Sequence, residues 1–450
     1  MLRVAVVGSG PSGVYTAQSL VQQDPEVLVD VLDRLPAPYG LVRYGVAPDH
    51  EKIKSLQNNL RTVLEHERVR FLGGVRIGPG PGELPGARLR GLYHAVVYCV
   101  GAATDRHLGI PGEELPGSWS ATEFVAWYSA HPDAVDDGFV AGVRSAVVIG
   151  VGNVAVDVSR MLARGPAELS PTDIPQAALT ALTASRVTDV HMVGRRGPSQ
   201  ARFTTKELRE LGTLPDTQVV VDEADLTLDP GATDPSTLPA AQRRNVEALR
   251  AWATLPPPAA TRRIHLHFFR RPVALLATGG HVSAVRFEHT VPDGTGGVTG
   301  TGEYEDIEAQ LILRSVGYRG VPLDGLPFDS AQGTVPHLAG RVLRDGTPSP
   351  GEYVAGWIKR GPTGVIGTNR PCAKETATSL LADAAVLVQR ERPGDPLTVL
   401  RAEGLSPVEW EGWRSIERAE AELGAALGRS VVKLPDWTSL MLAARASATP

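Results

Sequence analysis

A glycine-rich turn, "GSGPSG", joins a short apolar run to a helical pattern at the start of the chain. Its glycines, Gly8, Gly10 and Gly13, have the spacing of a strand–turn–helix unit that binds a dinucleotide. They permit the tight turn, the approach of backbone to a pyrophosphate, and close packing of helix on strand. The next predicted strand ends at Asp33, an acid placed to accept a hydrogen bond from a ribose hydroxyl. Because a helix N-terminus attracts phosphate, we predict a bound dinucleotide here rather than an unliganded tight turn.

A second turn of the same kind, "GVGNVA", follows the predicted strand "SAVVIG" near the middle of the chain. Ala155 replaces the third glycine, a change that is often seen where NADP is bound. The strand "VTDVHMVG" then ends in Arg195 and Arg196, where an NAD site would carry an acid. Two guanidiniums suit a 2′-phosphate because they form charge-assisted, bidentate hydrogen bonds. The second turn is therefore predicted to bind NADPH, the alternative being a solvated basic strand end.

Composition excludes several other classes of protein. The 450 residues suffice for two or three domains, and a net charge of −5 argues against nucleic acid as a partner. No apolar run reaches the roughly 18 residues of a membrane helix. The first predicted strand begins within three residues of Met1, so we expect a cytoplasmic protein without a targeting peptide. The two cysteines, Cys99 and Cys372, form no C-x-x-C pair and cannot ligate an iron–sulfur cluster, so no metal site is predicted.

Seven stretches in order along the chain resemble motifs of the adrenodoxin-reductase-like family of NADPH–ferredoxin reductases, in particular its actinobacterial branch. They are "GSGPSG", "GLVRYGVAPDH", "VGAATDR", "GVGNVAVDV", "VGRRGPSQARFTTKELREL", "RSVGYRGVP" and "GWIKRGPTGVIGTN". The resemblance implies an α/β fold with two Rossmann-like dinucleotide-binding domains, the NADP domain being inserted into the FAD domain. The FAD domain would comprise residues 1–105 and 320–450, and the NADP domain residues 106–319. The family also implies a monomer.

The same resemblance implies which residues contact each cofactor. Besides the glycines of the first turn, the residues on FAD would be Ser12, Asp33, Leu41, Ile77, Trp357, Gly364, Val365 and Ile366. Those on NADP would be Arg106, Gly152, Asn153, Val154, Arg195, Arg196 and Glu207, with Gly364 also touching the nicotinamide. His50 matches a family histidine near the flavin, and Glu210 a carboxylate that pairs with it; both would tune the nicotinamide site and its protons. Asp33 stands where the family usually has the longer glutamate.

The implied reaction is hydride transfer from NADPH to N5 of FAD, followed by single-electron transfer to a ferredoxin that feeds cytochrome P450s or similar enzymes. Nicotinamide gives up two electrons together, whereas a ferredoxin accepts one at a time, so a flavin is needed between them. The "GPTGVIG" turn would enter a helix and supply N–H groups and a positive dipole end to the reduced ring.

A basic stretch offers a surface for the acidic ferredoxin. Seven arginines and one acid lie between residues 243 and 271, a local charge of 7 − 1 = +6. Arg243, Arg244 and Arg250, in "RRNVEALR", match the position of the family's docking arginines. Such a patch would steer an acidic partner and make its association salt-dependent. The alternative is a solvated basic face, and nucleic acid is disfavoured because no nucleic-acid motif accompanies it.

Two other readings of the two turns stay open, and a third is nearly excluded. A flavin-dependent monooxygenase also has two such turns, but the chain lacks an F-x-G-x-x-x-H-x-x-x-W segment between them. A disulfide reductase would need a C-x-x-C pair. A non-catalytic dinucleotide-binding protein would keep its cofactors for structure alone. Finally, a helical pattern at about 404–428 is predicted to be mostly solvated and without chemistry.

Overall fold

Strands alternate with helices along most of the chain in the computed structural model, which describes residues 1–135, 138–256 and 260–446. The strands are β1 (Arg3–Val7), β2 (Leu28–Leu32), β3 (Val69–Leu72), β4 (Ala95–Tyr98), β5 (Thr104–Asp105), β6 (Ser118–Ser120), β7 (Ser145–Ile149), β8 (Asp189–Val193), β9 (Thr217–Val221), β10 (Arg262–His267), β11 (Arg270–Thr278), β12 (His281–Pro292), β13 (Val298–Glu308), β14 (Leu311–Arg314), β15 (Tyr318–Arg319), β16 (His337–Leu338), β17 (Arg341–Arg344) and β18 (Thr347–Val354).

The α-helices are α1 (Pro11–Gln23), α2 (Leu41–Tyr44), α3 (Glu51–Lys54), α4 (Leu56–Leu64), α5 (Gly86–Leu92), α6 (Ala121–Tyr128), α7 (Asn153–Ala163), α8 (Pro166–Leu169), α9 (Gln176–Thr183), α10 (Thr205–Leu211), α11 (Glu223–Leu228), α12 (Pro230–Thr233), α13 (Ala240–Ala253), α14 (Trp357–Arg360), α15 (Asn369–Ala382), α16 (Ala384–Leu387), α17 (Pro396–Ala402), α18 (Trp410–Ala426) and α19 (Trp437–Arg445). Short 3₁₀ turns lie at Pro198–Gln200, Pro235–Thr237 and Ile366–Thr368. Within the described ranges, no helix combines the length and apolar character that crossing a membrane would require.

The chain divides into two compact units. Unit 1 comprises residues 1–46, 50–104 and 318–450, and unit 2 comprises residues 47–49 and 105–317. The predicted domain boundaries placed residues 47–49 and 105 in the first domain, whereas they belong to unit 2, and residues 318–319 in the second domain, whereas they belong to unit 1. Ala47 lies in the apolar core of unit 2, and the Asp49 carboxylate pairs with Arg160 and Arg164, each at 2.7 Å. Which cofactor each unit binds stays a prediction.

Unit 1 is built on a seven-stranded sheet in the order β16-β17-β18-β4-β1-β2-β3. The strands from β18 to β3 run parallel, and β16 and β17 add an antiparallel edge. Parallel strands are buried on both faces, which explains the continuous apolar sequences of β1 and β4. Val4 and Val6 face one apolar core, and Ala5 and Val7 face the other. Helices α1 and α15 pack against each other in this unit.

Unit 2 holds a six-stranded parallel sheet in the order β6-β14-β7-β8-β10-β9, and an antiparallel sheet of β11, β12 and β13. Strand β7 divides its side chains between two cores, as a period of two requires. Ala146 and Val148 face a core formed with helices that include α6, α7, α10 and α13. Val147 and Ile149 face a second core formed with β11 and β12. Helices therefore cover one face of the parallel sheet of unit 2, and the antiparallel sheet covers the other face.

A buried ion pair ties helix α18 into unit 1. The Arg43 guanidinium donates to Glu420 Oε1 at 2.5 Å and Oε2 at 3.1 Å, and both side chains are about 5% exposed or less. The Arg43 guanidinium also lies 5.0 Å from the Trp413 ring centroid, and Lys433 Nζ donates to the Arg43 carbonyl at 2.7 Å. The prediction of a mostly solvated helix was wrong for this face of α18, because its buried acid finds a cation far away in sequence.

Removal of the Glu420 charge should destabilise unit 1 strongly. In Glu420→Gln the Arg43 cation keeps its burial but loses its counter-charge, a change that typically costs about 3–5 kcal/mol. The matched control is Glu403→Gln, whose partner Arg88 is 41% exposed, and its expected cost is below about 1 kcal/mol. Urea unfolding followed by tryptophan fluorescence measures both. Equal shifts of the two midpoints would contradict the structural role of the buried pair.

Candidate cofactor sites

The first glycine turn connects β1 to α1 and is closed on one side by protein. Gly8 has φ +111°, and a Cβ there would lie 2.5 Å from the Cys99 carbonyl oxygen. A Cβ on Gly13 would lie 1.8 Å from the Gly8 carbonyl oxygen. By contrast, a Cβ on Gly10 would meet nothing closer than 3.7 Å, which is the Cα of Gly40. Gly10 also caps α1 without a side-chain hydrogen bond, so the first-turn N–H groups are available to a phosphate.

The Asp33 carboxylate braces this turn. Ser9 donates to Asp33 Oδ2 from its backbone N–H at 2.7 Å and from its hydroxyl at 2.6 Å. The Leu35 N–H donates to Asp33 Oδ1 at 2.9 Å. A carboxylate has about four lone-pair sites, so one acceptor position remains for a hydroxyl. The sequence-based reading missed the bracing role, which pairs a turn residue with the acid 24 residues later.

The C-terminal part of unit 1 contributes an aromatic ring and an exposed apolar edge. Trp357 opens α14 and packs on Tyr318 with ring centroids 5.3 Å apart. Its Nε1–H is buried, and no described residue accepts a hydrogen bond from it. Gly364 has φ +81°, and the neighbouring Val365 is 64% exposed although it is apolar. A bound ring system would satisfy such a donor and cover such an exposed apolar side chain.

From the sequence, the "GPTGVIG" segment was expected to lead directly into a helix, but it does not. The 3₁₀ turn at Ile366–Thr368 comes first, and the Val365 N–H donates to Thr368 Oγ1 at 3.1 Å. That donor is therefore already engaged. The other residues implied for FAD lie in unit 1 as well. Ser12 is buried in α1, Leu41 opens α2 and is 39% exposed, and Ile77 is buried in a bridge to Leu84.

The second glycine turn connects β7 to α7 in unit 2. Gly150 has φ +141°, and a Cβ there would lie 2.2 Å from the Ser315 carbonyl oxygen. A Cβ on Gly152 would meet no heavy atom of the described residues within 4 Å. Gly152 caps α7 without a side-chain hydrogen bond, so this turn is also open towards a ligand. Asn153 Oδ1 accepts from the Thr204 N–H at 2.8 Å, Val154 is half-buried, and Ala155 is fully buried.

Three guanidiniums gather after β8. Arg195 and Arg202 are exposed, and Arg196 is half-buried. The pKa of Arg196 is lowered, first by its partial burial and then by the positive charges of Arg195 and Arg202. In the described part of the chain, no carboxylate lies within 4.0 Å of these three groups. Arg202 was not predicted from the sequence. Its backbone N–H donates to the Val151 carbonyl at 2.9 Å, which ties the Arg202 backbone to the second turn.

A fully buried arginine holds the predicted carboxylates of unit 2. Arg160 binds Asp49 through two hydrogen bonds of 2.7 and 3.0 Å, and lies 3.4 Å from Glu210 and 3.8 Å from Glu207. Burial alone would lower the pKa of Arg160, but the bonds to Asp49 and the charges of Asp157 and Glu210 raise it. Arg160 therefore stays charged and fixes the acids around it. Nothing in the local sequence marks this residue.

Arg106 and His50 are the other two residues that the sequence predicted. Arg106 is exposed in unit 2, and its N–H donates to the Gly317 carbonyl at 2.9 Å. His50 is buried in unit 1 and occupies the N-cap of α3, whereas Glu210 lies in α10 of unit 2. Their pairing stays a prediction.

Comparison with known proteins identifies the family to which this chain belongs. Residues 2–222 match the family described as pyridine nucleotide-disulphide oxidoreductase. The chain is 40% identical to the mitochondrial NADPH:adrenodoxin oxidoreductase of Arabidopsis thaliana, over 98% of this chain and 95% of that protein. It is 42% identical to NADPH-ferredoxin reductase FprA of Mycobacterium leprae, over 97% of each. This chain belongs to the adrenodoxin-reductase-like family of NADPH–ferredoxin reductases.

A solved structure of Mycobacterium tuberculosis FprA in complex with NADPH superposes on this reductase with a TM-score of 0.92. The two chains are 41% identical, over 98% of this chain and 99% of that one. The predicted α/β fold with two dinucleotide-binding domains and the predicted oxidoreductase class are thereby confirmed. The individual cofactor contacts of the reductase stay predictions.

Substitution of the first-turn glycines should separate folding from flavin binding. Gly10→Ala places a methyl group only where a ligand would lie, so we expect a folded protein with FAD affinity reduced by about tenfold or more. Gly13→Ala overlaps the Gly8 carbonyl and should prevent folding of unit 1. The control is Gly91→Ala in α5, where a Cβ meets nothing within 4 Å. Flavin absorbance per chain and thermal unfolding measure the outcome, and full flavin retention in Gly10→Ala would refute the assignment.

Proposed function

We propose that this chain is an NADPH:ferredoxin oxidoreductase with FAD as its resident cofactor. The observation that carries the proposal is the presence of two open strand–turn–helix units with different charges at their strand ends. The first has an acid, Asp33, which suits a ribose hydroxyl. The second has Arg195 and Arg196 without carboxylate partners in the described chain, which suits a 2′-phosphate. Its relatives are named for the same pair of reactants, NADPH and a ferredoxin or adrenodoxin.

The residues of unit 1 fit a flavin dinucleotide. The open side of Gly10 and the first-turn N–H groups of α1 would hold the pyrophosphate. The buried Trp357 Nε1–H and the exposed Val365 would lie against the ring. When bound, the flavin supplies what no side chain does, acceptance of a hydride and release of single electrons. The chain contributes binding, orientation and exclusion of water.

The residues of unit 2 fit NADPH. The turn at Gly152 and the N–H groups that open α7 would hold the pyrophosphate, and Arg195 and Arg196 the 2′-phosphate. We add Arg202 to this anion site because its charge acts on Arg196. His50 and Glu210 keep the tuning role that the family resemblance implies. Hydride transfer needs no general acid or base, so these two residues would adjust the rate and make no covalent bond.

The docking surface for ferredoxin is smaller than the arginine count suggested. Arg263 pairs with Asp189 at 2.7 Å, Arg270 pairs with Asp225 at 3.0 Å, and Arg271 pairs with Glu288. The local charge of +6 was therefore an overestimate, because the fold brings in acids from other segments. The remaining surface is the group of α13 arginines, Arg243, Arg244 and Arg250.

The α13 arginines are all exposed, but they differ in their contacts. Arg250 donates to the Thr233 carbonyl at 3.2 Å, which engages its guanidinium at the end of α12. Arg243 and Arg244 are therefore the better candidates for contact with an acidic partner. We place ferredoxin docking there, on a monomeric, cytoplasmic enzyme. Light scattering of the purified protein tests the monomer.

The arginines after β8 should determine the preference for NADPH over NADH. Each charge-assisted bond contributes roughly 1.5–3 kcal/mol, so Arg195→Gln should lower kcat/KM for NADPH about 10- to 100-fold and leave NADH nearly unchanged. The control is Arg186→Gln, an exposed arginine before β8 that changes the net charge equally. Stopped-flow bleaching of the flavin band with each nucleotide measures the effect. Equal losses with both nucleotides would remove the 2′-phosphate assignment.

Charge reversal on α13 should weaken ferredoxin association. Arg244→Glu is expected to raise KM for an acidic ferredoxin about tenfold at low ionic strength, and the difference should shrink as salt is added. Arg186→Glu has the same net charge and should behave as wild type. NADPH oxidation with ferricyanide, a small acceptor, should be unchanged in both. A matched rise of KM in the two variants would mean that net charge, and not this surface, guides docking.

A further inference from the structure

Three histidines lie together on neighbouring parallel strands of unit 2. His191 on β8 pairs in register with His265 on β10, and their rings stack with centroids 4.5 Å apart. The ring of His267, two residues further along β10, lies 5.2 Å from that of His191. One ring nitrogen from each histidine lies within 4.8 Å of those of the other two. None of the three is needed for the cofactor sites described above.

Hydrogen bonds around the rings indicate which nitrogens can bind a cation. His265 Nε2 lies 2.9 Å from Asp189 Oδ1, and because the ionised carboxylate only accepts, Nε2 carries the hydrogen. The lone pair of His265 is then on Nδ1. A carboxylate that holds one nitrogen of a histidine while the other binds metal is the usual arrangement around zinc.

The other two rings share one hydrogen. His191 Nδ1 and His267 Nε2 lie 3.0 Å apart, so one donates and the other accepts. Two nitrogens on a tetrahedral zinc ion, at about 2.0–2.1 Å each, are roughly 3.3 Å apart. The three rings are nearly parallel, with interplanar angles of 9°, 17° and 13°, so they must also turn about their side-chain bonds before their lone pairs converge on one ion.

The arginines near the three rings are paired with carboxylates, which weakens their repulsion of a cation. Arg263 pairs with Asp189 at 2.7 Å, and Arg270 with Asp225 at 3.0 Å and Glu305 at 2.9 Å.

We propose that His191, His265 and His267 form a binding site for a divalent transition cation of the zinc class, with Asp189 orienting His265. Imidazole nitrogens favour zinc, copper and nickel over magnesium and calcium, which take oxygen ligands. All three histidines are half-buried, so a water molecule can reach the fourth position of a tetrahedral ion. The three residues stand on two adjacent strands of one sheet, which holds their backbones in register whether or not the ion is bound.

Equilibrium dialysis of the untagged holoenzyme against Zn²⁺, followed by elemental analysis, tests this site. We expect one zinc ion per chain at micromolar free zinc. The triple variant His191→Gln/His265→Gln/His267→Gln should lose it, with affinity reduced at least 100-fold. Asp189→Asn keeps all three ligands and should weaken zinc about 10- to 100-fold. The control His281→Gln, at an exposed histidine of β12, should bind as wild type.

Flavin content and the rate of ferricyanide reduction by NADPH should be unchanged in every variant, which shows that both units are folded. If the triple variant does not fold, His267→Gln alone and X-ray absorption of the zinc-loaded wild type take its place. That spectrum should show three imidazole nitrogens at about 2.0–2.1 Å. Absence of zinc from the wild type, equal zinc in wild type and the histidine variants, or a different ligand set would each overturn the proposal.

Discussion

The close contact between the start of a helix and the end of a strand is the constraint on which both units depend. In unit 1 the Gly13 Cα lies so near the Gly8 carbonyl that a methyl group would sit 1.8 Å from its oxygen. This contact aims the unpaired N–H groups of α1 at the space above Gly10. In unit 2 a buried alanine, Ala155, fills the equivalent place, and Gly152 is open. Each turn is closed where protein must pack and open where a pyrophosphate must lie.

Electrostatics then separates the two sites. The Asp33 acceptor braces the first turn, and the arginines after β8 leave a region of uncompensated positive charge at the second. Elsewhere the chain pairs buried arginines with carboxylates, as it does with Arg160 beside Asp49 and with Arg43 beside Glu420. In the described chain, the arginines after β8 have no such partner, and an anionic ligand would neutralise them.

The histidine site illustrates a limit of motif reading. Spacings such as C-x-x-C signal a metal because the ligands are close in sequence, and the prediction of no metal site rested on their absence. His191 and His267 are 76 residues apart, and only the adjacency of β8 and β10 brings their nitrogens to 3.0 Å. The same reason explains why α18 was taken for a solvated helix and why residues 47–49 were assigned to the wrong unit: each depends on a cation distant in sequence.

The sequence by itself determined the two glycine turns, the acid after the first and the arginines after the second, and hence the fold class and the enzyme class. These features are local, because a positive φ, a helix N-terminus and a strand end are set by residues close along the chain. Only the tertiary structure decided which arginines stay free of carboxylates, that Arg160 holds Glu207 and Glu210, and that three histidines converge. Those outcomes are side-chain contacts between distant segments, and they exist only once the strands of a sheet have taken their order.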